Sequence, residues 1–173
     1  MPNCKTLFSR IKAFAFDVDG VFTNGQVYLM PDNNFIRMVN IKDGYAVQYC
    51  VKLGFPVGII SGGKSEEMAF RFRKLGVTDI YMGSSNKLES FEDFYMKYGL
   101  SCKDVLYMGD DIPDYEIMQR AGLPVCPNDA VTEIKQLAKY ISDKGGGMGC
   151  VRDVIEQVLR VQDKWLGKGS FEW

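Results

Sequence analysis

Residues 13–20 read AFAFDVDG, four apolar residues that run straight into Asp17 and Asp19. Apolar side chains at consecutive positions cover both faces of a strand. This one is therefore expected to be buried on both sides, as in a parallel sheet sandwiched between helices. The same grammar recurs downstream. Val57–Ile60 ends at Ser61, Ile80–Met82 at Gly83, Val105–Met108 at Gly109 and Asp110, and Leu123–Val125 follows. Between these runs lie helical patterns. Asp43 is the predicted cap of a helix through Leu53, with Ala46, Val47, Cys50 and Val51 on one face. Met68, Phe72 and Leu75 mark a second helix over 65–75, stopped by Gly76. Asn86 opens a third that runs to Tyr98, and Pro113 sits in the first turn of a fourth ending near Ala121. Residues 130–139 and 151–161 complete the set.

This alternation predicts an α/β fold, a doubly wound parallel sheet, in one domain spanning 1–173. One stretch breaks the pattern. Gln26–Leu29 and Phe35–Val39 are strand-like around the turn Pro31-Asp32-Asn33-Asn34, so a β-hairpin over about 25–40 is inserted after the first strand. Neither the gap from Thr23 to Asp43 nor that from Ser61 to Lys87 holds enough chain for a cap domain. The tail over 166–173, LGKGSFEW, is expected to be flexible.

In a doubly wound sheet, ligands bind at the carboxyl ends of the strands. Those ends carry Asp17 and Asp19, Ser61, and Asp110 with Asp111, while Lys87 opens a helix at a comparable place. Clustered carboxylates repel unless a cation sits among them. Oxygen ligands with neither His nor Cys suit a hard ion, Mg²⁺, which Asp17, Asp110 and a backbone carbonyl near Asp19 would hold. The chain contains no histidine, which removes His bases and every Ser-His-Asp scheme. Lys plus Arg number 21 against 22 acidic residues, so there is no basic field for nucleic acid. Five cysteines without a CxxC pair fit reduced thiols in a cytoplasmic protein. No apolar run approaches the roughly 20 residues that span a bilayer, so no membrane partner is expected.

Asp17-Val18-Asp19-Gly20-Val21-Phe22-Thr23 resembles the DxDxxxT motif of the haloacid dehalogenase superfamily. Ile59-Ile60-Ser61-Gly62 is similar to that family's second motif, Lys87 to its third, and Gly109-Asp110-Asp111-Ile112-Pro113-Asp114 to its fourth, GDDxxD. All four stand in family order. The hairpin, Ile41-Lys42-Asp43-Gly44 and the stretch from Gly145 to Arg152 resemble the capless branch, which acts on 2-keto-3-deoxy sugar phosphates. The chain departs from that branch at Met148 and at Gly62-Gly63.

The resemblance implies an Mg²⁺-dependent phosphomonoesterase that passes through an aspartyl-phosphate. KDO-8-phosphate (3-deoxy-D-manno-octulosonate 8-phosphate) is the first substrate it suggests, with a nonulosonate 9-phosphate as the alternative. It places the enzyme in KDO and lipopolysaccharide biosynthesis. It implies Asp17 as nucleophile, Asp19 as acid and base, and Lys87 as the cation that neutralises phosphoryl charge. Ser61 and Gly62 would bind phosphate, and Asp17, Asp19, Asp110 and Asp111 the metal.

Other positions keep two readings. Thr23 touches phosphate or fixes its loop. Lys42, with Asp43 and Gly44, lines the substrate entrance or merely begins a helix. Arg152 grips the substrate carboxylate or is an exposed helix-start residue. Asp114 orients metal waters or satisfies a helix dipole. Branch members are homotetramers, which implies that the apolar hairpin, or Phe171 and Trp173, reaches a neighbour's site. An inactive scaffold or a phospho-acceptor receiver domain remains the rival class. Asp19, two residues after the nucleophile, and the GDD run favour the phosphatase.

Overall fold

Ala13, Phe14, Ala15 and Phe16 are all fully buried, and their side chains alternate between two separate apolar clusters. Phe14 and Phe16 pack with Ile59, Leu106 and Met108 beneath one layer of helices. Ala13 and Ala15 pack with Ile60, Val105 and Tyr107 beneath the other. A strand that sees no water on either face is the physical basis of the doubly wound architecture.

The structure, a computed structural model, describes residues 4–31, 35–167 and 169–172. In chain order it contains α1 (Cys4–Phe8), β1 (Ala13–Phe16), the hairpin strands β2 (Tyr28–Leu29) and β3 (Phe35–Ile36), and α2 (Ile41–Lys52). Then come β4 (Val57–Ser61), α3 (Glu66–Lys74), β5 (Asp79–Met82), α4 (Lys87–Lys97) and β6 (Val105–Met108). The chain continues with α5 (Tyr115–Arg120), β7 (Leu123–Cys126), α6 (Thr132–Leu137), β8 (Tyr140–Ile141) and α7 (Cys150–Val161). The six-stranded sheet has the order β5-β4-β1-β6-β7-β8, and every pairing is parallel. The chain moves outward from β1 to β4 and β5, then returns to the far side of β1 for β6. That reversal opens a crevice at the carboxyl ends of β1, β4 and β6.

The fold follows the sequence reading closely, with three corrections. The hairpin strands are only two residues long each, paired as Tyr28↔Ile36 and Leu29↔Phe35. Its predicted turn residues 32–34 lie outside the described residues. The helix predicted from Asp43 starts earlier, because the Asn40 side chain accepts from the Lys42 amide at 2.9 Å. Asp43 serves another helix. It is fully buried, and its Oδ1 accepts from the Arg152 amide at 2.7 Å, in the first turn of α7. The α7 N-cap, Gly149, has no side chain to do this. The described part of the tail makes contacts with α2. The Tyr45 hydroxyl donates to the Ser170 carbonyl, and Lys52 Nζ to the Glu172 carbonyl at 3.2 Å. Among the described residues no helix is long and apolar enough to cross a membrane.

Candidate active site

Asp17 follows β1 directly, and its amide donates to the Met108 carbonyl of β6 at 3.0 Å, which pins the residue between two strand ends. Lys87 reaches it from the first residue of α4. Its Nζ lies 3.0 Å from Asp17 Oδ2 and 2.8 Å from Asp114 Oδ1. Asp114 is fully buried. Its Oδ1 also accepts from the Tyr107 hydroxyl at 2.6 Å, and its Oδ2 from the amides of Asp110 at 3.0 Å and Asp111 at 3.5 Å. Both Asp114 oxygens are thus occupied. The residue acts as a fixed anion that orients Lys87 and the turn carrying Asp110.

Carboxylate oxygens of Asp17, Asp110 and Asp114 lie within 4.8 Å of one another. Burial and then the charge of Asp114 push the Asp17 carboxyl up to about 8, with Lys87 offsetting part of the effect. Burial, Asp114 and Asp111 push Asp110 up to about 7. Burial alone would lower the lysine, but Asp114 and Asp17 outweigh it and hold Lys87 charged, above its ordinary value. One lysine is therefore too little positive charge for this cluster. Asp110 Oδ1 is buried and has no hydrogen-bond partner. A buried, unpaired carboxylate oxygen is costly unless a cation completes it. Gly20 makes room beside it: a Cβ there would fall 1.9 Å from Asp110 Oδ2. The donors are all oxygen, and this fits a hard divalent ion such as Mg²⁺.

A cavity of about 310 Å³ opens over these groups, lined by Asp17, Asp19, Gly20, Gly62, Gly63, Lys87, Asp110 and others. Ser61, at the end of β4, also lines it, with Oγ accepting from the Gly63 amide at 3.1 Å. A hydroxyl and two glycine amides beside a lysine can hold a phosphoryl group. A larger cavity, about 570 Å³, lies at the opposite end of the sheet between Arg10, Lys12, Phe55 and Lys164. It contains none of the predicted site residues, so the chemistry favours the smaller cavity.

Three predicted site residues lie outside the cavity lining. Thr23 is buried, and its Oγ1 accepts from the amides of Gly20 at 3.3 Å and Gly25 at 3.2 Å. It stiffens the loop rather than lining the cavity. Lys42 is exposed at the start of α2 and does not line the cavity either. Arg152 is turned away: its guanidinium lies 5.7 Å from the Tyr45 ring and 5.5 Å from that of Trp165, beside Glu156. Asp111 does line the cavity, exposed at its rim, where it caps the Ile112 amide at 2.8 Å, while Asp114 joins Asp17 and Asp110 in the buried carboxylate cluster. Asp43 and Gly44 likewise do not line the cavity. One residue that sequence reasoning missed is Arg37, just after β3, which forms a two-pronged ion pair with Asp19 at 2.7 and 3.1 Å. No motif marks it, since the contact spans 18 residues and depends on how the hairpin folds back.

A family model described as haloacid dehalogenase-like hydrolase matches residues 64–151. The 3-deoxy-D-manno-octulosonate 8-phosphate phosphatase of Salmonella typhimurium is 33% identical over 163 residues, 94% of this chain and 87% of that protein. The Escherichia coli K12 phosphatase of the same name is 34% identical over 154 residues, 89% of this chain and 82% of its own. The crystal structure of that phosphatase from Yersinia pestis superposes with a TM-score of 0.91 at 31% identity, covering 94% of this chain and 88% of the other. The Moraxella catarrhalis phosphatase, solved with a magnesium ion, a phosphate ion and KDO, gives a TM-score of 0.89 at 29% identity, covering 93% and 92%. The chain belongs to the haloacid dehalogenase-like hydrolases, in the capless branch that holds the 3-deoxy-D-manno-octulosonate 8-phosphate phosphatases.

Proposed function

We propose that this protein is an Mg²⁺-dependent phosphatase that converts 3-deoxy-D-manno-octulosonate 8-phosphate to KDO and phosphate. The observation that carries the reading is Asp17 at the cavity floor, paired with Lys87 and beside the orphaned Asp110 oxygen. The Moraxella catarrhalis relative, which holds magnesium, phosphate and KDO, supports the choice of ion and sugar. Asp17, Asp110 and the Asp19 carbonyl would hold Mg²⁺, whose charge would draw electron density off the phosphoryl oxygens.

The rest is done by side chains. Ser61, the Gly62 and Gly63 amides and Lys87 hold the phosphoryl group in line with the Asp17 carboxylate. Asp17 attacks phosphorus; the bond to the sugar oxygen breaks, and Asp19 protonates that oxygen. Asp19 then takes a proton from water. The water oxygen attacks phosphorus, and the bond to Asp17 breaks to release phosphate. Asp114 fixes Lys87 throughout.

We further infer a homotetramer working in the cytoplasm, in KDO and lipopolysaccharide biosynthesis. The apolar hairpin supports assembly, with Leu29 75% and Tyr28 60% exposed in the single chain. Steady-state kinetics on the octulosonate 8-phosphate and a nonulosonate 9-phosphate test the substrate, the first being the expected better one. Asp17→Asn is expected to abolish turnover while leaving the fold intact, as circular dichroism would show. Activity within about tenfold of wild type, about 1.4 kcal/mol of barrier, would sink the mechanism.

A further inference from the structure

The hairpin sends one charged side chain back into the site. Arg37 Nε donates to Asp19 Oδ1 at 2.7 Å and Nη2 to Asp19 Oδ2 at 3.1 Å, a fork-on-fork contact of the strong kind. The surroundings are the reverse of what solvation alone dictates. Phe35, Ile36 and Met38 are 53, 49 and 59% exposed, yet the Arg37 side chain between them is only 12% exposed. A cation hidden among exposed apolar neighbours is held by something specific, and here that is Asp19. Gly63 leaves the space for the pair. A Cβ at that position would stand 3.2 Å from Asp19 Oδ2 and 3.5 Å from Arg37 Nη2. Among the described residues, Arg37 is the only side-chain hydrogen-bond partner that Asp19 has.

We propose that Arg37 is a positioning residue for the reaction: it fixes both oxygens of Asp19 at the mouth of the cavity, and so makes the hairpin part of the catalytic apparatus. The inference rests on the phosphatase reading given above. An aspartate at a cavity mouth, free to change rotamer, spends much of its time misaimed. A misplacement of about 1 Å can cost about 10²-fold in rate. A guanidinium fork constrains two oxygens at once, whereas an ammonium constrains one.

The test uses Arg37→Met and Arg37→Lys in the full chain, with melting curves as a control for folding. Both variants are assayed on the sugar phosphate and on an aryl phosphate. Arg37→Met is expected to lower kcat by up to about 10²-fold with KM little changed, and Arg37→Lys to recover part of the loss. In an Asp19→Asn background, Arg37→Met is expected to have little further effect, because the two residues act as one unit. An unchanged kcat, a lysine variant no better than the methionine one, or the same factor lost in the Asp19→Asn background would overturn the proposal. So would a raised KM at constant kcat, which would assign Arg37 to substrate binding. If wild type hydrolyses the aryl phosphate but not the sugar phosphate, the substrate reading fails alone. The role of Arg37 is then decided on the aryl phosphate.

Discussion

Asp17 and Asp110 bind protons more tightly in the folded chain than an ordinary aspartate does, because burial and Asp114 oppose their charge. The sign of the consequence follows from linkage. Groups raised to about 8 and about 7 keep their protons in the native state over a range where the unfolded chain has lost them. Their contribution is therefore complete below an unfolded pKa of about 3.9 and is lost as pH rises through the folded values, by up to about 1.4 kcal/mol per group per pH unit. Metal-free protein is expected to melt at a higher temperature near pH 5.5 than near pH 8.5. Mg²⁺ must displace those protons, so its stabilisation should grow with pH. Scanning calorimetry with chelator and with excess Mg²⁺ at both pH values checks this, and an equal Mg²⁺ shift at both would refute the site. The main carboxylates were legible in the sequence because each ends an apolar run at a strand's carboxyl end. Which of Asp111 and Asp114 turns inward was not. Both sit in one short 3-10 turn, and only the buried Tyr107 hydroxyl and Lys87 decide in favour of Asp114. The Arg37–Asp19 pair was invisible for a similar reason, since no local pattern records a contact across a hairpin.

At the scale of elements, the long buried strands and the capped helices were readable, and the short or indirectly supported ones were not. β1 and β6 match the apolar runs residue for residue, and Ser65 and Asn86 cap α3 and α4 as their side-chain chemistry suggests. α1 and β8, of five and two residues, are too short to show a period. The start of α7 shows what sequence could not supply. Its cap, Asp43, comes from a helix more than a hundred residues earlier and is pushed up to about 6 by burial, with Oδ2 left unpartnered. Asp43→Ala is expected to cost about 1–2 kcal/mol, the usual worth of a helix cap. Asp43→Asn keeps an acceptor and has no charge to bury, so it should cost less. Urea unfolding distinguishes them; an alanine variant as stable as wild type would show that Asp43 does not support α7.

At the scale of the whole molecule, the proposed assembly and the proposed chemistry meet at the hairpin. Its described apolar residues, Val27, Tyr28, Leu29, Met30, Phe35, Ile36 and Met38, are 40 to 75% exposed in the single chain, although Arg37 between them reaches back to Asp19. Two strands of two residues each are marginal on their own in water. Contiguous exposed apolar surface of this kind marks a contact with another chain. Closed symmetry would bury one such patch against its copy in a neighbour. The Phe171 side chain, 86% exposed, is a second contact candidate, while Trp173 lies outside the described residues. Light scattering is expected to give a mass four times the protomer's 19.5 kDa. Leu29→Asp with Ile36→Asp should dissociate the assembly. Both side chains are at least half exposed or nearly so, at 75 and 49%, and charging them removes little from the protomer's own core. The dissociated protein should also lose kcat, because a hairpin without a neighbour holds Arg37, and through it Asp19, less firmly. A double variant that keeps the wild-type mass would place the interface elsewhere. One that is monomeric at full activity would show that the active site is complete within a single chain.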